Sequence, residues 1–162
     1  MTSGGVKLGD LYQEVILDHN RHPRNFGKLA DPTVTTHGVN PLCGDDYHLY
    51  LKMDDGGVIR QVRFEGQGCA ISKSSASLMT AAIAGKSARQ AEELKDHFIH
   101  LLTDSAVTEA DRAGVGRLQF FEGVKNFPIR VKCATLIWRA LEAALKMNGD
   151  KKTDVTTEGA DG

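Results

Sequence analysis

The sequence predicts an α+β domain: a small antiparallel sheet of three strands with helices packed on one of its faces. Three observations carry this reading. Tyr47, Leu49, Leu51 and Met53 alternate with Asp46, His48, Tyr50 and Lys52, the period of a strand with one buried face. From Ala70 onward the apolar period lengthens to that of a helix. The strand-like segments also precede the long helical ones, an order that suits a sheet with helices on one side better than repeated βαβ units.

Taken in order, Asp10 is placed to cap a first helix that runs to about His22. Leu11, Val15 and Ile16 share a face of it, and Pro23 ends it. The first eight residues read as loose. A loop follows, marked by Pro23-Arg24-Asn25-Phe26-Gly27 and Asp31-Pro32. Thr33 to Val39 supplies one strand, Asp46 to Met53 the second, and a third carries Val58, Val62 and Phe64 on one face. Asp54-Asp55-Gly56-Gly57 makes the hairpin turn between the last two. A helix is expected from Ala70 to Ala84, closed by Gly85, and another from Ser87, as N-cap, to Leu102. Thr103 to Phe121 reads as one or two short helices. The last helix starts at Pro128, where a missing N–H costs nothing, and runs to about Met147. Residues 1–148 thus form a single domain, and the polar tail 149–162 reads as disordered.

Composition narrows the function. The chain has 162 residues with 20 Lys+Arg against 21 Asp+Glu, a formal charge of −1. Binders of nucleic acid or of acidic membranes usually carry a large basic excess, so neither partner is expected. The least charged apolar stretch, Ser74 to Gly85, falls well short of the roughly 20 residues that span a bilayer. The opening residues have no apolar core of a secretory signal, so a cytoplasmic protein is expected.

Three cysteines, an odd number, argue against a disulfide framework and leave metal binding, catalysis or plain burial. Each sits where an element begins or ends. Cys43 precedes the alternating strand, Cys69 lies between strand and helix, and Cys133 is in the second turn of the last helix. Glycines flank the first two, in Cys43-Gly44-Asp45 and Gly66-Gln67-Gly68-Cys69. Singly, each cysteine is more often a small buried hydrophobe, and no Cys-x-x-Cys pair is present. As a set, three thiolates and the Asp45 carboxylate make four ligands for tetrahedral zinc or for the iron of a cluster. Such a site is net negative. Arg130, one helical turn before Cys133, could relieve it, although a solvated charge is the plainer reading.

At these residues the sequence resembles the U-type iron–sulfur cluster assembly proteins. The motifs are Leu11-Tyr12-Gln13-Glu14-Val15-Ile16-Leu17-Asp18-His19, Pro23-Arg24-Asn25-Phe26-Gly27, Asn40-Pro41-Leu42-Cys43-Gly44-Asp45, Gly66-Gln67-Gly68-Cys69-Ala70-Ile71-Ser72 and Arg130-Val131-Lys132-Cys133-Ala134-Thr135-Leu136. They occur in the family's order. The IscU branch has His directly before its third cysteine and a Leu-Pro-Pro-Val-Lys segment upstream. Here Lys132 precedes Cys133, and Asn126-Phe127-Pro128-Ile129-Arg130 stands upstream. An extra block within about residues 87–121, between Cys69 and Cys133, is a further mark of the SufU branch, to which the chain is most similar.

That resemblance implies the IscU/SufU-like fold and a zinc site of Cys43, Asp45, Cys69 and Cys133. It implies a sulfurtransferase that accepts persulfide sulfur from a SufS-type, pyridoxal-phosphate-dependent cysteine desulfurase. In the implied mechanism a histidine of the desulfurase displaces Cys43 from zinc, Cys43 takes the sulfur, and Arg130 assists at the docking surface. The sulfur then goes to a downstream Suf scaffold or apo-acceptor. The alternative is a scaffold that assembles a [2Fe–2S] cluster on the same ligands, and a third possibility is a zinc-stabilised fold that only binds partners. Asp46 adjoins Asp45, but alternate strand residues face opposite sides, so Asp45 is preferred as the ligand. His19 and His22, like His97 and His100, are spaced i, i+3 with no evident acidic or thiol partner. His37 and His48 carry no signal of their own.

Overall fold

The computed structural model describes residues 8–104, 106–147 and 152–156. Helix α1 spans Leu8–Arg21, followed by strands β1 (Val34–Asn40), β2 (Asp45–Met53) and β3 (Ile59–Gln67). Helices α2 (Ala70–Ile83), α3 (Ala88–Thr103) and α4 (Glu109–Val115) come next. A 3₁₀ segment (Gly116–Val124) leads into α5 (Pro128–Lys146), and β4 (Lys152–Thr156) ends the described chain.

β1, β2 and β3 form the expected antiparallel meander. β1 alternates buried and half-buried residues along its whole length, with Val34, Thr36, Gly38 and Asn40 inward. In β2, Asp45, Tyr47, Leu49 and Leu51 face the same way. The helices cover only this face, and the other stays open.

Three expectations need correcting. Ile59, not Val58, is the inward residue at the start of β3. The register slips between Lys52 and Met53, so that Lys52 pairs with Gln61 and Met53 with Ile59. A bulge adds one residue and resets the inside–outside phase. Asp10 is not a cap, because α1 already runs from Leu8. Finally, the tail expected to be disordered contributes β4, which pairs parallel to β1 from Thr35↔Lys152 to Val39↔Thr156 and makes the sheet four-stranded, in the order β3-β2-β1-β4. β1 would otherwise be an edge with a row of unpaired backbone groups, which readily accepts another strand. The remaining tail residues and residues 1–7 lie outside the described part.

Helix boundaries otherwise follow local chemistry. Ser87 caps α3 in a full capping box with Gln90, and α5 opens at Pro128. α2 carries buried Ser72, Ser74, Ser75, Ser77 and Thr80, and each of these hydroxyls is hydrogen-bonded, as burial demands. Ser77 Oγ meets His19 Nδ1 at 2.7 Å and accepts from the Arg24 N–H at 2.8 Å, fixing α1 and the loop after it to α2. Ser75 donates to the Ala134 carbonyl (2.6 Å) and accepts from the Trp138 indole N–H (3.0 Å), tying α2 to α5. The Trp138 ring stacks on Phe98 of α3 with centroids 4.4 Å apart. No helix among the described residues is long and apolar enough to cross a membrane.

The block between α3 and α5 has its own anchor. Asp111 closes a capping box with Thr108 and accepts from His97 at 2.9 Å, with His100 3.7 Å away. His97 and His100 therefore do have an acidic partner, one that sequence distance concealed. The His97 hydrogen bond, first, and the Thr108 amide hold the Asp111 carboxyl down at about 2. A carboxylate with a lowered pKa stabilises the fold above its ordinary range and loses that contribution as pH falls through the folded value. Asp111→Asn should therefore melt earlier than the parent chain at pH 6. The gap should close between about pH 4 and pH 2, which parallel thermal melts across that range would check.

Candidate metal centre

Chain topology, not sequence proximity, assembles the cysteines. The β1–β2 turn carries Cys43, whose N–H bonds the Asn40 carbonyl (3.2 Å), and Asp45 opens β2 directly after it. β3 ends beside the start of β2, with Gln67 paired to Asp46. The chain then turns through Gly68 into α2, whose N-cap is Cys69. α5 brings Cys133 from the other side.

The donor atoms of Cys43, Asp45 and Cys133 all lie within 4.8 Å of one another. Cys133 Sγ is 3.4 Å from Cys43 Sγ. Cys69 falls just outside that group of three, but its thiol interacts with that of Cys133. Asp45 is fully buried and Cys133 is 3% exposed, whereas Cys43 and Cys69 are half-buried. The cluster is therefore closed from below and reachable at Cys43 and Cys69.

Asp45 is held by a preset network. Its Oδ1 accepts from the Cys69 N–H (2.9 Å) and from Ser72 Oγ (3.0 Å), and Asn40 Nδ2 approaches Oδ2 at 3.4 Å. Ser72 Oγ, as donor, faces the Asp45 carboxylate and the Cys69 carbonyl, both at 3.0 Å, so its one proton is committed to these acceptors and Tyr47 Oη, 3.0 Å away, donates to it. Burial pushes the Tyr47 phenol above its ordinary value, which keeps it a donor. Gly68 makes the arrangement possible, since a Cβ there would lie 2.4 Å from Asp45 Oδ1 and 2.6 Å from Ser72 Oγ. Gly66, at φ +140°, is in a region that L side chains avoid, with its missing Cβ aimed at the backbone of Asp46.

The thiols differ electrically. Cys69 is lowered to about 6, chiefly by the neighbouring Cys133 thiol and then by the Ser72 amide that it caps. Cys133 is pushed up by that same interaction, by burial and by Cys43. Cys69, at the positive end of α2, is thus the more readily ionised thiol of the pair.

Asn40, Tyr47 and Ser72 support the Asp45 carboxylate, a role that sequence reasoning did not assign to them. The available signal was a polar residue at a core-facing position, such as Asn40 in phase with Val34 and Thr36. Arg130 is exposed, and its described contact is with the Phe127 ring, 4.6 Å from the centroid, rather than with the cluster.

The donor set fits a divalent metal. The hydrogen bonds to the buried Asp45 carboxylate come from the Cys69 amide, Ser72 and Asn40, all neutral groups, and a carboxylate buried beside thiolates is costly without a cation. The 3.4 Å thiol spacing is close to the about 3.8 Å between sulfurs of a tetrahedral zinc site.

The NifU-like N-terminal domain model matches residues 11–134. The chain belongs to this family. Among curated NifU-like relatives, it is 41% identical to the zinc-dependent sulfurtransferase SufU of Bacillus subtilis over 140 residues, 86% of this chain and 92% of that protein. It is 39% identical to the iron–sulfur cluster assembly scaffold protein IscU of Thermotoga maritima, over 84% of this chain and 93% of that one. Among solved NifU-like structures, a protein described as a cluster assembly scaffold for the SUF system of Fervidobacterium islandicum superposes with a TM-score of 0.75. The two are 37% identical, and the match covers 82% of this chain and 94% of the other.

Proposed function

We propose that this protein is a zinc-dependent sulfurtransferase of iron–sulfur cluster assembly, with zinc held by Cys43, Asp45, Cys69 and Cys133. It would take sulfur from a SufS-type cysteine desulfurase and pass it to a downstream scaffold or apo-acceptor. The carrying observation is the buried donor set that leaves Cys43 accessible on a turn. The similarity to a sulfurtransferase of that description supports it.

Bound zinc would keep thiols ionised and protected from oxidation at neutral pH. The remaining work belongs to the chain. Cys43 is the acceptor because it sits on the turn, whereas Cys133 is covered and the Cys69 sulfur is engaged in capping α2 through the Ser72 N–H. Its thiolate attacks the terminal sulfur of the desulfurase persulfide. A new S–S bond forms on Cys43, the donor's S–S bond breaks, and the donor leaves as a thiolate, with no net redox change. Asp45 is pinned by Ser72, Asn40 and the Cys69 amide. The partner's landing surface is offered by Leu42 (62% exposed), Phe127 (48%) and Ile129 (58%), large apolar side chains on the segments that carry Cys43 and Cys133. Arg130 stands among them.

The test is Cys43→Ser in a desulfurase assay with metal analysis. The parent chain should hold about one zinc and stimulate the desulfurase, with stimulation lost on chelation and restored by zinc. Cys43→Ser should lose at least about 100-fold of it, as removal of an essential nucleophile does. Full stimulation by that variant would remove Cys43 from its role. Iron with matching acid-labile sulfide, transferable to an apo-protein, would favour the cluster scaffold.

A further inference from the structure

A second cluster of metal-ligating side chains lies on the other face of the sheet. His37 of β1 and His48 of β2 are directly opposite in the antiparallel register, and Asp46 lies two residues before His48 on the same side of β2. Because alternate residues face opposite ways, this is the face away from the helices. Asp45 points inward to the thiols and Asp46 outward. The two imidazoles are stacked, 4.2 Å between centroids with planes 3° apart. His37 Nε2 is 2.7 Å from Asp46 Oδ1. One donor atom from each of the three residues lies within 4.8 Å of the other two. All three side chains are half-buried, so solvent and ions reach them.

We propose that His37, Asp46 and His48 form a second, exchangeable site for a borderline divalent cation of the zinc class. Two imidazole nitrogens and a carboxylate oxygen suit such an ion. The three residues stand on paired strands, so their backbones are already fixed, and the two rings turn out of their stack to aim their in-plane nitrogen lone pairs at one ion. The ion would replace the His37–Asp46 hydrogen bond with a bond to each of the three donors. The site offers three ligands and an open side, so a water or another ligand completes the coordination. It lacks thiolates, so it binds more weakly than the thiol cluster and fills after it. This proposal does not rest on the sulfurtransferase reading, since it concerns other residues on another face.

The experiment uses the full-length, tag-free chain, first brought to one zinc per chain and then dialysed against zinc buffers up to the micromolar range. The parent chain should take up a second equivalent. His37→Gln and His48→Gln should keep the first and bind the second at least about tenfold more weakly, the low end of what losing even a supporting group around a metal costs. A readout free of variants accompanies it: the second equivalent should shift the imidazole nitrogen resonances of His37 and His48 and leave those of His97 and His100 in place. Uptake that stops at one equivalent overturns the proposal. So does a second equivalent that persists in both variants, or one that moves only other histidines.

Discussion

Gly68→Ala should weaken metal binding at the thiol cluster by up to about 100-fold while leaving the fold intact. The added methyl would arrive 2.4 Å from Asp45 Oδ1, 2.6 Å from Ser72 Oγ and 2.7 Å from Tyr47 Oη. None of the three can yield cheaply. Asp45 is fully buried and held by three donors, Ser72 is in the first turn of α2, and Tyr47 is 1% exposed within the core. The strain belongs to overpacking, about 1–3 kcal/mol, which a domain of this size survives. Its effect on the site is larger, because disturbing the groups that orient a metal ligand costs about 10–100-fold in affinity or activity. Zinc retention against a chelator and desulfurase stimulation should both fall by about that factor. Gly123→Ala, where a Cβ meets nothing within 4 Å, is the matched control. Normal zinc affinity in Gly68→Ala would mean that Asp45 need not stand where it does.

Trp138→Ala should produce the largest loss of stability of any single change in the helical layer. The indole is fully buried, stacked on Phe98, and its N–H is committed to Ser75. Emptying such a site costs about 3–5 kcal/mol. At roughly 2–4 °C per kcal/mol for a chain of this length, the melting temperature should drop by about 10 °C. Ser75→Ala removes no ring but strands the indole N–H, and should cost about 1–3 kcal/mol. Denaturant titration of both variants orders the two effects. A Trp138→Ala loss no greater than that of Ser75→Ala would show that the layer closes over the cavity.

What the sequence made legible was whatever depends on neighbours along the chain. The alternation of Tyr47, Leu49 and Leu51, the Ser87 cap and the Pro128 start are local signals, and each is realised. What depends on register was hidden. The bulge opposite Lys52 brings Ile59 inward, and no local pattern places it there. β4 pairs because β1 offers an edge, a property of the folded sheet. The same division runs through the site. Glycines and element ends drew attention to Cys43, Asp45, Cys69 and Cys133, and the structure gathers them at one end of the sheet. Asn40, Tyr47 and Ser72 became visible only once strand pairing had placed them around Asp45. Likewise His37 and His48 are distant in sequence, and only the β1–β2 pairing makes them face each other.

Cys69 opens α2 and Cys133 sits on α5, and these helices are bolted to each other through Ser75, Ala134 and Trp138. The chain that wanders from α3 through α4 and the 3₁₀ segment back to α5 closes a loop outside that bolt. Doubling such a loop costs only about 0.6 kcal/mol of closure entropy. The turns of that excursion can therefore lengthen at little entropic cost without retuning the geometry in which the sulfurs meet, while its buried Leu118, Phe121 and Val124 keep it packed on the core.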